Sequence, residues 1–262
     1  RGRGAARDRA PRPRRPRAPR PARLPRGAER AAGAARPPRP EPAIEALPFG
    51  ERRRLGEVAV SLHPAGHLLG SAQVRIEHRG EVWVVSGDYK VDPDPSCEPF
   101  EAVRCDTFIS ESTFGLPVFR WPAQQASFAE VLEWWRTNAA EERPSVLFAY
   151  ALGKAQRLLA GLDALAGAEK PGPLVVHGAV RVCIEGYRAA GAVLPEVASA
   201  VDLPREVLRR ALVVAPPSAQ GSPWMRRFPG ASTAFVSGWM RLRNLRPQRR
   251  VDRGFVLSVH AD

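Results

Sequence analysis

The chain has 262 residues, of which 44% are apolar, so it is long enough for one large domain or two smaller ones with a buried core. Its formal net charge is +13, which is high for a globular body of this size. No apolar run approaches the roughly 20 residues that a membrane-spanning helix needs, and we expect no membrane partner.

The charge is concentrated in the first part of the chain. Residues 1–40 hold 14 Arg against Asp8 and Glu29 and carry +12, so the other 222 residues carry +1. This part consists almost wholly of Arg, Pro, Ala and Gly, and it cannot bury enough apolar surface to offset the entropy lost on ordering. If residues 1–42 are in the correct reading frame, they are a disordered basic arm that would bind nucleic acid through phosphates.

A folded body is predicted from about residue 43, and it begins with strands. The stretch EVAVSLH (57–63) is typical of a strand that leads into a Gly-containing turn. Residues 72–88 alternate apolar and polar side chains around Arg79-Gly80, which predicts a β-hairpin. A further buried strand, CDTFISEST (105–113), ends in a carboxylate and small hydroxyls.

The second half alternates predicted helices and strands, which indicates an α/β fold. Residues 122–143 have helical periodicity after a Pro, and residues 153–167 form a helix that begins with Gly. Four short buried strands are predicted around these helices: SVLFAYAL, PLVVHGAV, ALVVAPP and STAFVSGWM.

Two polar side chains come at predicted strand ends. His67 follows Gly66 at a turn, and Asp88 follows Gly87 at the end of the hairpin. An imidazole and a carboxylate that meet there suit a zinc or manganese ion. Spacing alone leaves a second interpretation open, since a His beside a Gly turn is often structural.

The helix start at Gly153-Lys154 predicts a phosphate contact, because free backbone N–H groups and a positive side chain coincide there. An ordinary helix start is the alternative. His177 could reach a nucleic-acid groove, or it could be a hydrogen-bonded histidine at a strand end. The three cysteines form no CxxC pair, so we expect a reduced, cytoplasmic protein.

Seven stretches in this order resemble the metallo-β-lactamase superfamily in its nucleic-acid-processing β-CASP branch, and most of all the bacterial ligase-associated DNA exonucleases. The resemblance covers about residues 43–262 and rests on HPAGHLLGSAQ, VVSGDY, ISESTFG, ALGKAQRLL, VVHGAV, SGWM and VLSVHAD.

The resemblance implies a role for four side chains. His67 would ligate one metal, and Asp88 would bridge two divalent metals, zinc or manganese. Glu111 and His260 match the acidic residue and the histidine of two β-CASP motifs, which act together near the scissile phosphate. The adjacent Val259 departs from the acidic or small residue that is usual there.

The superfamily's main ligand motif, His-x-His-x-Asp-His, does not occur in this sequence. The Arg/Pro-rich segment stands in its place. Back-translation of PRPRRPRA (11–18) with the frame moved forward by one base permits His-Ala-His-Ala-Asp-His-Ala. We therefore interpret residues 1–42 as frame-shifted sequence. The chain also begins with Arg1 and ends at Asp262, before the family's final His motif, so we expect both ends to be edges of a fragment.

The sequence as a whole predicts an incomplete αββα metallo-β-lactamase sandwich over residues 43–117 and 243–262, with a β-CASP α/β insertion over residues 118–242. The implied activity is phosphodiester hydrolysis by a metal-dependent DNA exonuclease that works in DNA repair with an ATP-dependent DNA ligase and a helicase. This chain is expected to be inactive, because its metal site is incomplete. An RNA-processing β-CASP nuclease and a non-catalytic nucleic-acid-binding remnant remain alternatives.

Overall fold

The structure is a computed structural model that describes residues 45–242 and 250–261. The basic arm predicted over residues 1–42 lies outside these described residues. So do residues 243–249 of the predicted second core segment.

The first sheet has five strands in chain order, β1 to β5. They are Arg53–Leu55, Val58–Pro64, Ala72–His78, Glu81–Val85 and Thr107–Ile109. Neighbours are antiparallel except β4 and β5, which are parallel. The predicted hairpin is confirmed, and its turn places Arg79 at φ 50° and Gly80 at φ 86°.

One face of the first sheet is apolar and open. Paired residues of neighbouring strands share a face, because side chains alternate along a strand. The apolar partners across β2, β3 and β4 are Val60, Leu62, Val74, Ile76, Trp83 and Val85. None of these six is fully buried, and Trp83 and Ile109 are 43% and 45% exposed. Among the described residues, therefore, nothing fully covers this face.

The second sheet has six parallel strands, β6 to β11. In chain order they are Ser145–Phe148, Leu174–Val176, Ala198–Ser199, Leu212–Ala215, Ser232–Val236 and Arg253–Phe255. Their order in the sheet is β11-β10-β6-β9-β7-β8. The last of these lies within the predicted 243–262 segment and pairs with Ser232–Val236. The boundary at residue 243 stays a prediction.

Helices cover one face of the second sheet. They are α1 (Gln124–Ala140), α2 (Lys154–Ala166) and α3 (Gly178–Ala189), and their apolar sides join alternate residues of the central strands in one buried cluster. The other face packs against the short α4 (Arg205–Leu208) and nearby turns. Buried on both sides, these strands are near-continuous apolar runs in the sequence, as is typical of parallel sheets. The mixed α/β fold is confirmed.

Two predicted strands are helical in their second half. The strand predicted in STAFVSGWM ends at Val236, and Gly238–Arg241 form a 3₁₀ helix. The predicted strand PLVVHGAV ends at Val176, and Gly178 begins a helix. The side chain of His177 accepts a hydrogen bond from the Ala179 N–H at 3.1 Å, so it caps the helix. Within the described ranges, no helix is both long and apolar enough to cross a membrane.

Candidate metal centre

The loop that carries His67 is built around Gly66. This glycine has φ +68°, and a Cβ there would collide with the carbonyl oxygen of Lys90 and lie 3.0 Å from the Phe100 nitrogen. Only glycine permits both the left-handed conformation and the close approach of the two backbones. The loop after β2 is therefore seated directly on the chain that follows Asp88.

Three side chains converge at this point. His67, Asp88 and His260 each offer one potential ligand atom, and these atoms lie within 4.8 Å of one another. His67 Nε2 is 3.9 Å from Asp88 Oδ2, and the rings of His67 and His260 are 4.6 Å apart between centroids. The Asp88 side chain is mainly exposed, so the cluster opens to solvent on that side. Two imidazoles, a carboxylate and an open side are a donor set that zinc accepts.

The orientation of His67 is fixed by the backbone. Its Nδ1 lies 2.7 Å from the carbonyl oxygen of Val259, and because a carbonyl only accepts hydrogen bonds, Nδ1 carries the proton. The lone pair of Nε2 then faces Asp88. Burial lowers the pKa of His67 and outweighs the opposing effect of the Val259 hydrogen bond, which favours the neutral form that metals bind.

Glu111 holds the second histidine. His260 Nδ1 is 3.1 Å from both carboxylate oxygens of Glu111. Glu111 also accepts hydrogen bonds from the Tyr89 N–H at 2.9 Å and from the Thr113 hydroxyl. Burial raises the pKa of Glu111, but these hydrogen bonds together lower it below its usual value. An ionised Glu111 can only accept, so the proton of His260 lies on Nδ1, and Nε2 is left for another partner.

Two further hydrogen bonds, each donated by a main-chain N–H, connect the same segments. The Glu111 N–H donates to Ser86 Oγ at 3.2 Å, and the Ala261 N–H donates to the Tyr89 carbonyl at 2.8 Å. The ends of β4 and β5 and the segment of His260 therefore form one connected site. The four side chains to which the resemblance assigns roles lie together in it.

Of the three predicted nucleic-acid-binding residues, Gly153 lies against the loop that carries His67. Gly153 has φ +78°, and a Cβ there would be 3.1 Å from Leu68 Cβ, next to His67. Lys154 is only 4% exposed, and burial lowers its pKa to about 8. Its Nζ lies 5.1 Å from the centre of the Tyr150 ring. A contact of Lys154 with phosphate stays a prediction, but at this burial its side chain would have to move to make it.

His177, the third of these residues, is partly exposed at the C-terminal end of β7, and its ring lies 4.8 Å from that of Trp224. Its contact with nucleic acid likewise stays a prediction.

Two groups that hold the side chains of the site were not predicted from the sequence: the Val259 carbonyl and the Thr113 hydroxyl. Val259 acts through its carbonyl, so its unusual side chain does not affect the hydrogen bond to His67. No side-chain pattern could have identified it. Thr113 could have been found, because a hydroxyl two residues after a strand-end carboxylate can reach back to it.

Several known proteins are similar to this chain. A probable DNA ligase of Opitutus terrae is 33% identical over 219 residues, which are 82% of this chain and 21% of the relative. Endoribonuclease YSH1 of Gibberella zeae is 34% identical over 128 residues, or 47% of this chain and 15% of the relative. Ribonuclease TTHA0252 of Thermus thermophilus is 35% identical over 115 residues, or 42% of this chain and 24% of the relative.

The chain thus spans between 15% and 24% of the length of these relatives. No protein-family model matches the chain.

Proposed function

Because this chain belongs to the metallo-β-lactamase superfamily, in its β-CASP branch, we propose that it is part of a metal-dependent DNA exonuclease that hydrolyses phosphodiester bonds. The observation that supports this most is the convergence of His67, Asp88 and His260 beside the carboxylate of Glu111.

The donor set fits one divalent ion. His67 presents Nε2 in the neutral tautomer, and the carboxylate of Asp88 lies opposite it. When bound, such an ion lowers the pKa of a water molecule and neutralises charge on phosphoryl oxygens. Two ions need more ligands than His67 and Asp88 supply, so we propose that this chain alone has little or no nuclease activity.

His260 and Glu111 have a separate task in the proposed reaction. Glu111 accepts the hydrogen bond from Nδ1 of His260 and orients the ring, so that Nε2 can donate a proton to the leaving oxygen of the scissile phosphate. Asp88 and His67 hold the metal in this assignment. His67→Ala should therefore abolish zinc binding, whereas His260→Ala should retain it. Loss of binding in both variants would make His260 a ligand instead.

DNA is proposed as the substrate because the ligase-named relative matches 82% of the chain, whereas the endoribonuclease-named relative matches 47%. The endoribonuclease-named relative makes RNA the second candidate substrate. Fluorescence anisotropy with DNA and RNA oligonucleotides of one sequence separates the two, and we expect tighter binding of DNA. Tighter binding of RNA would reverse the assignment. The DNA ligase and helicase partners, the role in repair and the cytoplasmic location stay predictions.

The fold proposal is an αββα sandwich with an inserted second unit. The open apolar face of the first sheet supports it, since a face of this kind is normally packed against another layer. We propose that a second sheet of the complete protein covers this face, and that residues 118–242 form the insertion.

The frame-shift proposal for residues 1–42 has a direct test in the coding DNA over codons 1–45. An insertion or deletion that restores His-x-His-x-Asp-His would support it. An uninterrupted reading frame would instead favour a genuine basic arm and a nucleic-acid-binding protein without catalysis.

A further inference from the structure

The tip of the His67 loop packs against the helices that cover the second sheet. The side chain of Leu69 packs against the buried cluster formed by α1, α2 and α3. The N–H of Leu69 donates a hydrogen bond to the hydroxyl of Tyr187 at 3.2 Å. Tyr187 lies on α3, which follows the second strand of the parallel sheet in the chain. A loop that leaves the first sheet is thus anchored by a helix of the second sheet.

Tyr187 is well suited to act as a fixed anchor. It is 2% exposed and belongs to the same buried cluster as the helices. A tyrosine hydroxyl is neutral at physiological pH and can accept this hydrogen bond, and burial raises its pKa further, to about 12. A packed ring of this kind has little rotational freedom, and its hydroxyl position is determined by the core around it.

Two other hydrogen bonds of the loop shape it locally. Ser71 Oγ accepts from the N–H groups of His67 and Leu68, each at 3.2 Å. These bonds close the turn but do not place it against the second sheet. The loop backbone is placed there by the bond to Tyr187 and by the close approach of Gly153 to Leu68. The side chain of His67 is held in addition by its hydrogen bond to the Val259 carbonyl.

The placement of the loop matters because the clustered side chains come from both sheets. His67 and Asp88 follow strands of the first sheet, whereas His260 follows the edge strand Arg253–Phe255 of the second. Their potential ligand atoms can lie within 4.8 Å of one another only if the two sheets keep a fixed relative position. We propose that Tyr187 is a positioning residue, whose hydroxyl holds the Leu69 backbone and thereby places His67 against Asp88 and His260.

This inference builds on the proposed metal centre, and its test starts with the metal-free protein. Tyr187→Phe removes the hydroxyl and keeps the ring in the core. Tyr150→Phe is the matched control, because Tyr150 is 53% exposed and lies in the loop before α2. In Tyr187→Phe we expect the Leu69 amide to exchange at least about tenfold faster with solvent and the ring ¹⁵N shifts of His67 to change. In Tyr150→Phe neither should change.

Amide exchange in Leu212–Ala215 reports on the fold as a whole, because this strand is fully buried. Faster exchange there by the same factor, or unchanged Leu69 exchange and His67 shifts, would overturn the inference. In a zinc titration, Tyr187→Phe should weaken affinity about tenfold, as is typical for residues that orient a ligand. Equal zinc affinity in the parent and Tyr187→Phe would also overturn it.

Absence of zinc binding in the parent protein would refute the metal centre of the proposed function. The NMR and exchange measurements would still decide whether Tyr187 positions His67.

Discussion

The two glycines that flank His67 make a matched pair for testing how the metal loop is built. Gly66 and Gly70 have φ +68° and +75°. Alanine in this conformation costs about 1–2 kcal/mol, partly offset by about 0.4–1 kcal/mol from the loss of freedom in the unfolded chain. A Cβ at Gly70 meets no atom within 4 Å, so Gly70→Ala should lose only about 1 kcal/mol of unfolding free energy.

Gly66→Ala carries an additional cost. Its Cβ would collide with the Lys90 carbonyl and lie 3.0 Å from the Phe100 nitrogen, and both of these are backbone atoms. Forced displacement of packed groups costs about 1–3 kcal/mol, so the total loss should be about 2–4 kcal/mol. Because Lys90 lies two residues after Asp88, the same variant should also weaken zinc binding.

Urea unfolding followed by tryptophan fluorescence measures the unfolding free energy of the two variants at one pH. A zinc titration of the folded variants measures their zinc affinity. We expect Gly66→Ala to lower both the unfolding free energy and the zinc affinity more than Gly70→Ala does. Equal losses of stability for the two variants, or unchanged zinc affinity in Gly66→Ala, would show that the loop does not depend on the contact with the chain after Asp88.

Two further predictions concern buried charges. The pKa of Lys154 is lowered by burial from 10.5 to about 8, so the unfolded chain binds more protons than the native state between these values, and stability rises with pH across that window. Lys154→Met should be more stable than the parent by about 1–3 kcal/mol at pH 7 and lose this advantage near pH 10.5, and urea titrations at the two pH values measure the difference. Asp94→Ala leaves Arg157, its partner at 3.5 Å and 1% exposed, without that carboxylate, and it should cost about 3–5 kcal/mol. The double variant Asp94→Leu with Arg157→Met should recover part of the loss, and a double variant as unstable as Asp94→Ala would contradict this.

Local patterns predicted much of the fold because its elements follow simple rules. Alternation around Arg79-Gly80 gave the hairpin, and the apolar run at 212–215 gave a parallel strand buried on both faces. The boundary at His177 was missed because a single side-chain hydrogen bond to the Ala179 N–H decides it. That contact outweighs the apolar residues on either side.

The side chains of the candidate site stand out in the sequence, whereas the groups that position them do not. His67, Asp88, Glu111 and His260 lie in recognisable stretches, and the structure brings them together. The Val259 carbonyl carries no side-chain signal. The burial of Lys154 depends on how α2 packs in three dimensions, which its own sequence does not encode.

Isothermal titration of zinc into the metal-free chain and into His67→Ala tests the metal centre most directly. We expect one zinc ion per chain in the parent protein and none in His67→Ala, since Nε2 of His67 is the oriented ligand of the cluster. Absence of zinc binding in the parent, or equal binding in His67→Ala, would contradict the assignment of this cluster as a metal site.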